Sequence, residues 1–266
     1  MLPSTTEFIH LRYEITDGVA VATLNRPERR NALNQRAYDE IEAAFCVAAT
    51  DDTVCCVVIT GADPAFCAGG DVKEMMTGER RPAESATAPR RATPAAMAAL
   101  DCDKPVIAAV NGPSVGWGME LALFADIRIA SERASFAELF IKRGLVADVG
   151  GLWRLPAIVG LPKAAELLFT GDTIDANEAL RIGPCVGSGA ARGARAARDG
   201  VGGAHRRQSA ACLARDEGRL AARDVRRSAR DRQLGHRNDL PSVSDGGSSR
   251  GRQKLSRKAP AASSSG

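Results

Sequence analysis

The sequence predicts an α/β fold built on a parallel sheet, because apolar runs alternate with helical patterns over residues 1–183. The runs at residues 54–59 and 106–110 are apolar throughout, which is typical of parallel strands covered on both faces. Two turns of small residues, 65–75 and 111–122, each lead into a helical segment. Strands that alternate with helices indicate an α/β core with parallel pairing.

Local patterns predict the N-terminal elements. Residues 8–15 and 18–25 alternate apolar and polar side chains around Asp17-Gly18, which predicts a β-hairpin. Asn34 can cap a helix that continues to about residue 49, because its side chain can accept a hydrogen bond from a free backbone N–H group. Four apolar residues at helical spacing would share one face of that helix: Ala37, Ile41, Phe45 and Ala48.

The second half of the predicted core contains shorter elements. Residues 78–93 are rich in Gly, Pro, Arg and Ser, which predicts a surface loop. Residues 127–130 predict another strand. Residues 164–170 and 176–182 predict two short helices.

The net charge of +4 hides a change of composition near Gly183. Residues 1–183 carry 18 Lys and Arg against 25 Asp and Glu, whereas residues 184–266 carry 18 against 7. The second region contains no Phe, Tyr, Trp, Ile or Met, so it cannot bury enough apolar area to offset its chain entropy. We therefore expect a folded core over residues 1–183 and a disordered tail, rich in Arg, Ala, Gly and Ser, over residues 184–266.

Composition excludes several classes of protein. The sequence has no apolar run of 18 residues, and its N-terminus lacks a basic region followed by an apolar one, so we expect neither a membrane span nor a signal peptide. Seven cysteines without a CxxC pair indicate buried free thiols in the cytoplasm. The three histidines are scattered, so we expect no metal site.

The two small-residue turns predict the chemistry. Each leads into the start of a helix, where free backbone N–H groups and the helix dipole favour a negative oxygen. Two such turns can direct two N–H donors at one thioester oxygen. Glu120 would place a carboxylate in the first turn of the second helix.

Six motifs, in order, resemble those of the enoyl-CoA hydratase/isomerase (crotonase) family. They are LNRPERRNAL at 24–33, AFCAGGD at 65–71, KPVIAAVNG at 104–112, GWGMELA at 116–122, ADIR at 125–128 and FTGD at 169–172. The resemblance implies a crotonase-like spiral of ββα units and a CoA thioester substrate. It also implies that no metal or cofactor beyond the substrate's coenzyme A is needed, and that chains assemble as homotrimers or hexamers.

The resemblance also implies roles for individual residues. The two oxyanion donors of the family fall on the backbone N–H groups of Gly70 and Trp117, where Trp117 replaces the usual glycine. The first hydratase glutamate falls on Glu120, and the second falls on Phe140, so one of the two hydratase carboxylates is missing. Glu138 lies two residues away and, on a strand, would share the face of Phe140 at a Cβ distance of roughly 6–7 Å.

Asp148 resembles the aspartate of family members that isomerise double bonds. Isomerisation needs a base to remove a proton and an acid to return one elsewhere, and Glu120 and Asp148 would supply that pair. The resemblance further implies that coenzyme A or the substrate contacts nine residues: Arg29, Arg30, Ala32, Ala68, Gly69, Asp71, Val72, Lys73 and Gly116.

Each of these residues also has a structural interpretation. Glu120 and Asp148 could each stabilise a helix N-terminus, and Gly70 and Gly116 could serve tight turns alone. Arg29, Arg30 and Lys73 could be solvated surface charges, and the indole of Trp117 could narrow the acyl pocket or only pack.

The tail departs from the family, and our hypothesis is a frameshift near Gly183. When the frame is shifted by one base, codons for residues 244–262 can also encode a sequence similar to the family's C-terminal ending. One alternative is a genuine basic tail that binds nucleic acid, but no aromatic residue is interleaved there for base stacking. Another is an inactive crotonase-like product. We expect an enzyme that hydrates or isomerises a 2-enoyl-CoA through an oxyanion-stabilised enolate.

Overall fold

The computed structural model describes residues 2–77, 93–147, 150–185 and 187–189. Residues 78–92 of the predicted loop 78–93, Asp148 and almost all of the predicted tail lie outside the described residues, whereas Thr93 caps the helix Pro94–Asp101. Within them, the strands are β1 Leu11–Thr16, β2 Val19–Leu24, β3 Cys56–Gly61, β4 Val106–Val110, β5 Pro113–Val115, β6 Ile127–Ser131, β7 Ser135–Ala137, β8 Ile174–Asp175 and β9 Gly187–Gly189. The helices are α1 Gln35–Thr50, α2 Val72–Thr77, α3 Pro94–Asp101, α4 Trp117–Phe124, α5 Gly151–Val159, α6 Leu161–Thr170 and α7 Ala176–Ile182.

The main sheet has the strand order β1-β2-β3-β4-β6-β9. Strands β1 and β2 form the predicted antiparallel hairpin, and every other neighbouring pair in this sheet is parallel. The predicted parallel pairing of the two apolar runs is confirmed, since Val57 pairs with Val106 and Thr60 with Ala109. A smaller sheet has the strand order β5-β7-β8, and its first strand follows β4 directly along the chain.

The core covers both faces of the main sheet, as the continuous apolar runs predict. Along β3, Val57 and Ile59 belong to the large cluster that includes α1, whereas Cys56 and Val58 belong to a second cluster on the opposite face. Alternation of side chains along a strand produces this division. Strand β3 is therefore buried over its whole length.

The predicted helix α1 is confirmed together with its cap. The side chain of Asn34 accepts a hydrogen bond from the backbone N–H of Ala37 at 3.0 Å. All four residues of the predicted apolar face, Ala37, Ile41, Phe45 and Ala48, are buried. Helix α6 begins at Leu161, three residues before the predicted start, because Pro162 occupies its first turn, where proline is well tolerated.

The described chain continues past Gly183 into the start of the expected tail. The guanidinium Nε of Arg128 donates to the carbonyl of Pro184, the Cys185 side chain is buried, and β9 pairs with β6. Residues 186 and 190–266 lie outside the described residues.

Candidate active site

The two small-residue turns meet beside the N-terminus of α4. The segment around Leu33 runs next to the first turn, because the Leu33 N–H donates to the Gly69 carbonyl at 2.8 Å and the Asp71 N–H donates to the Leu33 carbonyl at 2.8 Å. Cys67 pairs in turn with Ser114, the central residue of β5. The structure thus brings three of the sequence motifs, which are far apart along the chain, to one place.

The contact between the turns requires glycine at two positions. Gly69 has a φ of +87°, and a Cβ atom there would lie 2.8 Å from the Val115 carbonyl oxygen and 3.6 Å from the Trp117 nitrogen. A Cβ atom at Gly118 would lie 2.3 Å from the Cys67 carbonyl oxygen. The first turn of α4 therefore packs directly on the backbone of residues 67–69.

The amides of Gly70 and Trp117 are placed to act as donors. Among the described residues, neither N–H group donates a hydrogen bond within the protein. Trp117 is the first residue of the eight-residue helix α4, so its N–H belongs to the free donors of a helix start, where the dipole favours negative charge. The geometry is suited to holding an anionic oxygen.

The side chain of Trp117 packs into the core. Its ring contacts that of Tyr38 edge-to-face, with a centroid separation of 4.9 Å, and the residue is 5% exposed. The indole N–H is buried and has no acceptor among the described residues. The backbone N–H of Trp117 therefore faces the candidate oxyanion site, whereas its side chain packs in the core.

Glu120 carries a buried carboxylate on the first turn of α4. Its Oε1 atom accepts hydrogen bonds from the backbone N–H groups of Gly151, at 2.7 Å, and Gly150, at 3.1 Å. These amides belong to the start of α5, so the carboxylate receives charge-stabilising donors from a second helix N-terminus. The side chain is thereby fixed with respect to both helices.

Glu138 places a second carboxyl group beside Glu120. It follows β7 directly, and the end of β7 is joined to α4 because the Gly116 N–H donates to the Ala137 carbonyl at 2.8 Å. A Cβ atom at Gly151 would lie 2.9 Å from Oε1 of Glu120 and 3.1 Å from Oε1 of Glu138. The two carboxyl groups therefore flank the same glycine.

The environment of Glu138 favours its protonated form. The residue is 1% exposed, and neither carboxyl oxygen has a hydrogen-bond partner among the described residues. Burial, and secondarily the charge of Glu120, raise the pKa of Glu138 to about 9. An unpaired carboxylate would be costly at this position, so the group remains neutral near pH 7.

Of the other two candidate acid positions, Phe140 and Asp148, the structure describes only Phe140. Phe140 has helical backbone angles and precedes a short 3-10 helix, Ile141–Arg143, so it does not share a strand with Glu138. Its ring lies 3.7 Å from the point that a Cβ atom would take at Gly116. Asp148 lies outside the described residues.

The residues expected to contact coenzyme A lie on adjacent segments. Arg29, Arg30 and Lys73 are exposed, and Val72 is 41% exposed. The Ala68 N–H donates to the Arg30 carbonyl at 3.0 Å, which joins the two segments. Of the remaining candidates, Gly69 and Gly116 are buried, and Ala32 and Ala68 are partly buried.

Asp71 faces inward, into an ion-pair network that sequence analysis missed. Arg26 donates through Nη1 to Asp71 at 3.2 Å and to the Ala32 carbonyl at 2.6 Å, and through Nη2 to Glu74 at 2.6 Å. Arg26 therefore ties the LNRPERRNAL segment to the turn that carries Gly70. The arginine lies in a quoted motif, but nothing in its spacing indicates this contact.

Asn31 forms hydrogen bonds with the backbone that leads into the same turn. Its side-chain N–H₂ donates to the carbonyls of Ala65, at 2.7 Å, and Ala62, at 2.8 Å, while its Oδ1 accepts from the Arg26 N–H at 2.9 Å. The residue is 1% exposed and has a φ of +57°, a conformation that asparagine tolerates better than most residues. Asn31 therefore fixes the backbone that leads to Gly70.

No group of three or more His, Cys, Asp or Glu side chains in the described residues is arranged to hold a metal ion. Among the described helices, none is long and apolar enough to cross a membrane.

Fold and site together define an α/β protein of the crotonase type, in which two turns present amide donors beside buried carboxyl groups. A sequence model of the enoyl-CoA hydratase/isomerase family matches residues 14–186, and the chain belongs to this family. The family and fold implied by the sequence motifs are therefore confirmed.

The relatives include proteins named as enoyl-CoA hydratases and one named as an isomerase. A probable enoyl-CoA hydratase of Rhodobacter capsulatus is 40% identical over 174 residues, which is 65% of this chain and 66% of the relative. The 1,2-epoxyphenylacetyl-CoA isomerase of Escherichia coli is 37% identical over 171 residues, which is 64% and 65% of the two chains. The match thus spans slightly less than two thirds of each relative.

The fold is also that of solved structures. The crystal structure of an enoyl-CoA hydratase from Mycobacterium tuberculosis superposes with a TM-score of 0.69 at 34% identity, covering 86% of this chain and 94% of that one.

Proposed function

We propose that this chain binds an acyl-CoA thioester and hydrates or isomerises a 2-enoyl-CoA through an enolate. The observation that carries the proposal is the meeting of the Gly69-Gly70 turn with the N-terminus of α4, which also bears Glu120. The unused N–H groups of Gly70 and Trp117 would donate hydrogen bonds to the thioester oxygen, and the buried carboxylate would lie beside the acyl carbons. Relatives named enoyl-CoA hydratases, among which this chain falls by sequence, support the substrate class.

The two amides would lower the barrier by stabilising charge. Removal of a proton next to a thioester, or addition of water across its conjugated double bond, places negative charge on the carbonyl oxygen. Donors already fixed by the fold stabilise that charge without reorganising, which is commonly the largest contribution to catalysis. Glu120 would act as the general base, with its Oε1 atom oriented by hydrogen bonds from two backbone amides.

Coenzyme A would lie along the segments that carry Arg29, Arg30 and Lys73. These exposed cations come from two adjoining segments, and cations at such positions favour phosphate groups. Asp71 would act indirectly, by fixing Arg26 and the turn. The reaction needs no cofactor apart from the coenzyme A of the substrate.

Double-bond isomerisation is the second candidate reaction. It is favoured by Asp148, whose position resembles that of isomerising members, and by the relative named 1,2-epoxyphenylacetyl-CoA isomerase. In that reaction Glu120 and Asp148 would exchange protons with different carbons of one acyl chain.

The test is incubation of the purified chain with crotonyl-CoA in D₂O, followed by mass spectrometry and NMR of the product. Hydration adds the elements of water and yields 3-hydroxybutyryl-CoA, whereas isomerisation or reversible deprotonation introduces deuterium on carbon without adding oxygen. Binding of butyryl-CoA, which lacks the double bond, reports the thioester site alone. A folded chain that shows no turnover, no exchange and no binding of butyryl-CoA would contradict the proposed function.

A further inference from the structure

We propose that Glu138 is the proton donor of this active site, in place of the glutamate that falls on Phe140 in hydratases. The inference rests on the proposed function and names the residue that returns the proton. It is specific to this chain, because residue 138 is not one of the positions at which the family resemblance supplies an acid. Three observations carry it.

The first observation is position. Glu120 and Glu138 approach Gly151 from two different elements, α4 and the end of β7. Only the absence of a side chain at Gly151 gives both carboxyl groups room, since a Cβ atom would be within 3.1 Å of an oxygen of each. The fold thus forms a pair of carboxyl groups from distant parts of the chain.

The second observation is that the two groups have unequal surroundings. Glu120 receives two backbone N–H donors, whereas Glu138 receives none from the described residues although its oxygens are buried. Donors favour the ionised form of a carboxyl group, and burial without donors favours the neutral form. One member of the pair is therefore a base and the other an acid at the same pH, which is the arrangement that acid–base catalysis needs.

The third observation is that residue 140 cannot supply the acid. Its phenyl ring occupies the space against Gly116. Among the described residues, the charged group that acts on Glu138 is the carboxylate of Glu120. Glu138 is then the described carboxyl group available to return a proton.

The proton transfers balance within this pair. In hydration, Glu120 takes a proton from water as the hydroxide oxygen bonds to C3, and the electron pair of the double bond moves to the thioester oxygen. The O–H bond of Glu138 then breaks and its proton forms the new C–H bond at C2, which restores the carbonyl. A proton transfer from Glu120 to Glu138, directly or through water, returns both groups to their initial states.

The matched variants are Glu138→Gln, which removes the acidic proton but preserves size and neutrality, and Glu132→Gln, a change at an exposed glutamate in the connection between β6 and β7. With crotonyl-CoA, we expect Glu138→Gln to lower kcat by roughly 10²-fold or more. Its affinity for butyryl-CoA should be unchanged, and Glu132→Gln should behave as the wild type does. In the wild type, kcat/KM should fall as the pH rises through about 9, and the residual kcat/KM of Glu138→Gln should lose that decline.

Infrared spectroscopy supplies a readout that does not depend on turnover. The wild type at pH 7 should show the carbonyl stretch of a protonated carboxyl group, and this band should be absent from Glu138→Gln and retained in Glu132→Gln. Equal kcat values for the wild type and Glu138→Gln, or a band unaffected by that substitution, would overturn the assignment of Glu138. A wild type with neither crotonyl-CoA turnover nor carbon exchange would instead refute the proposed function, whatever the infrared result.

Discussion

Replacement of Gly70 by proline tests the oxyanion site by removing one N–H group. The described hydrogen bonds of this turn use the Gly69 carbonyl, the Asp71 N–H and the Ala68 N–H, so the amide of Gly70 can be lost without breaking any of them. Two amides would share the developing charge, and the loss of one such donor typically raises the barrier by about 3–4 kcal/mol. We therefore expect kcat with crotonyl-CoA to fall about 10²–10³-fold in Gly70→Pro.

Gly70→Ala is the control, because it adds a side chain but keeps the N–H group. Circular dichroism and urea unfolding establish that both variants are folded, and butyryl-CoA binding establishes that the thioester site persists. The expected order of kcat is wild type, then Gly70→Ala, then Gly70→Pro far below. A folded Gly70→Pro variant with the kcat of Gly70→Ala would show that this amide does not hold the oxyanion.

Three further predictions concern the acids and the tail. Glu120→Gln should slow either reaction roughly 10²-fold or more while butyryl-CoA binding persists, whereas Asp148→Asn should do so only in isomerisation, and a silent Asp148→Asn would remove Asp148 from the mechanism. Glu138 should lower stability as the pH rises from about 4.5 to about 9, because in this range its carboxyl group is protonated when folded and ionised when unfolded. Urea unfolding should show the gain in stability from Glu138→Gln growing by up to about 1.4 kcal/mol per pH unit between pH 5 and pH 8, and no such trend for Glu132→Gln. If residues 184–266 result from a frameshift, expression of the shifted frame should give a better-dispersed oligomer by light scattering with higher activity than the chain as written, and a monodisperse, active trimer from the chain as written would contradict the frameshift.

The elements that sequence analysis placed correctly are those with several residues of regular pattern. The hairpin has alternating side chains and α1 has a helical period with a capping residue, whereas the parallel pair β3–β4 consists of continuous apolar runs of strand length. Strands β5, β7 and β8 contain two or three residues, too few to show a period, and their pairing depends on distant segments. Within the site the motifs supply the missing information, because the glycines at 69 and 118 indicate the close backbone approach that the structure shows there.

Arg26 and Asn31 show a different limit of the sequence. Both are buried polar residues that have partners in and around the next motif, up to 48 residues away. The sequence alone predicts that an arginine beside a proline is exposed at the surface, since arginine is seldom fully buried unless it is paired. Only the fold reveals that Asp71 and Glu74 supply the pair, and hence that an expected ligand-binding aspartate serves to hold the turn.

For the second acid, the position expected from sequence spacing differs from the residue that lies beside Glu120 in the structure. Spacing from Glu120 leads to Phe140, and on that basis one carboxylate of the hydratase pair is missing. The chain leaves β7 at Ala137 and turns toward a 3-10 helix, so residue 138, rather than residue 140, lies next to Gly151 and Glu120. A second carboxyl group therefore lies beside Glu120 although it comes from a different position in the sequence, provided that residue 151 has no side chain. If this substitution of positions is functional, Gly151→Ala should disturb the two carboxyl groups together, since the added methyl group would contact an oxygen of each.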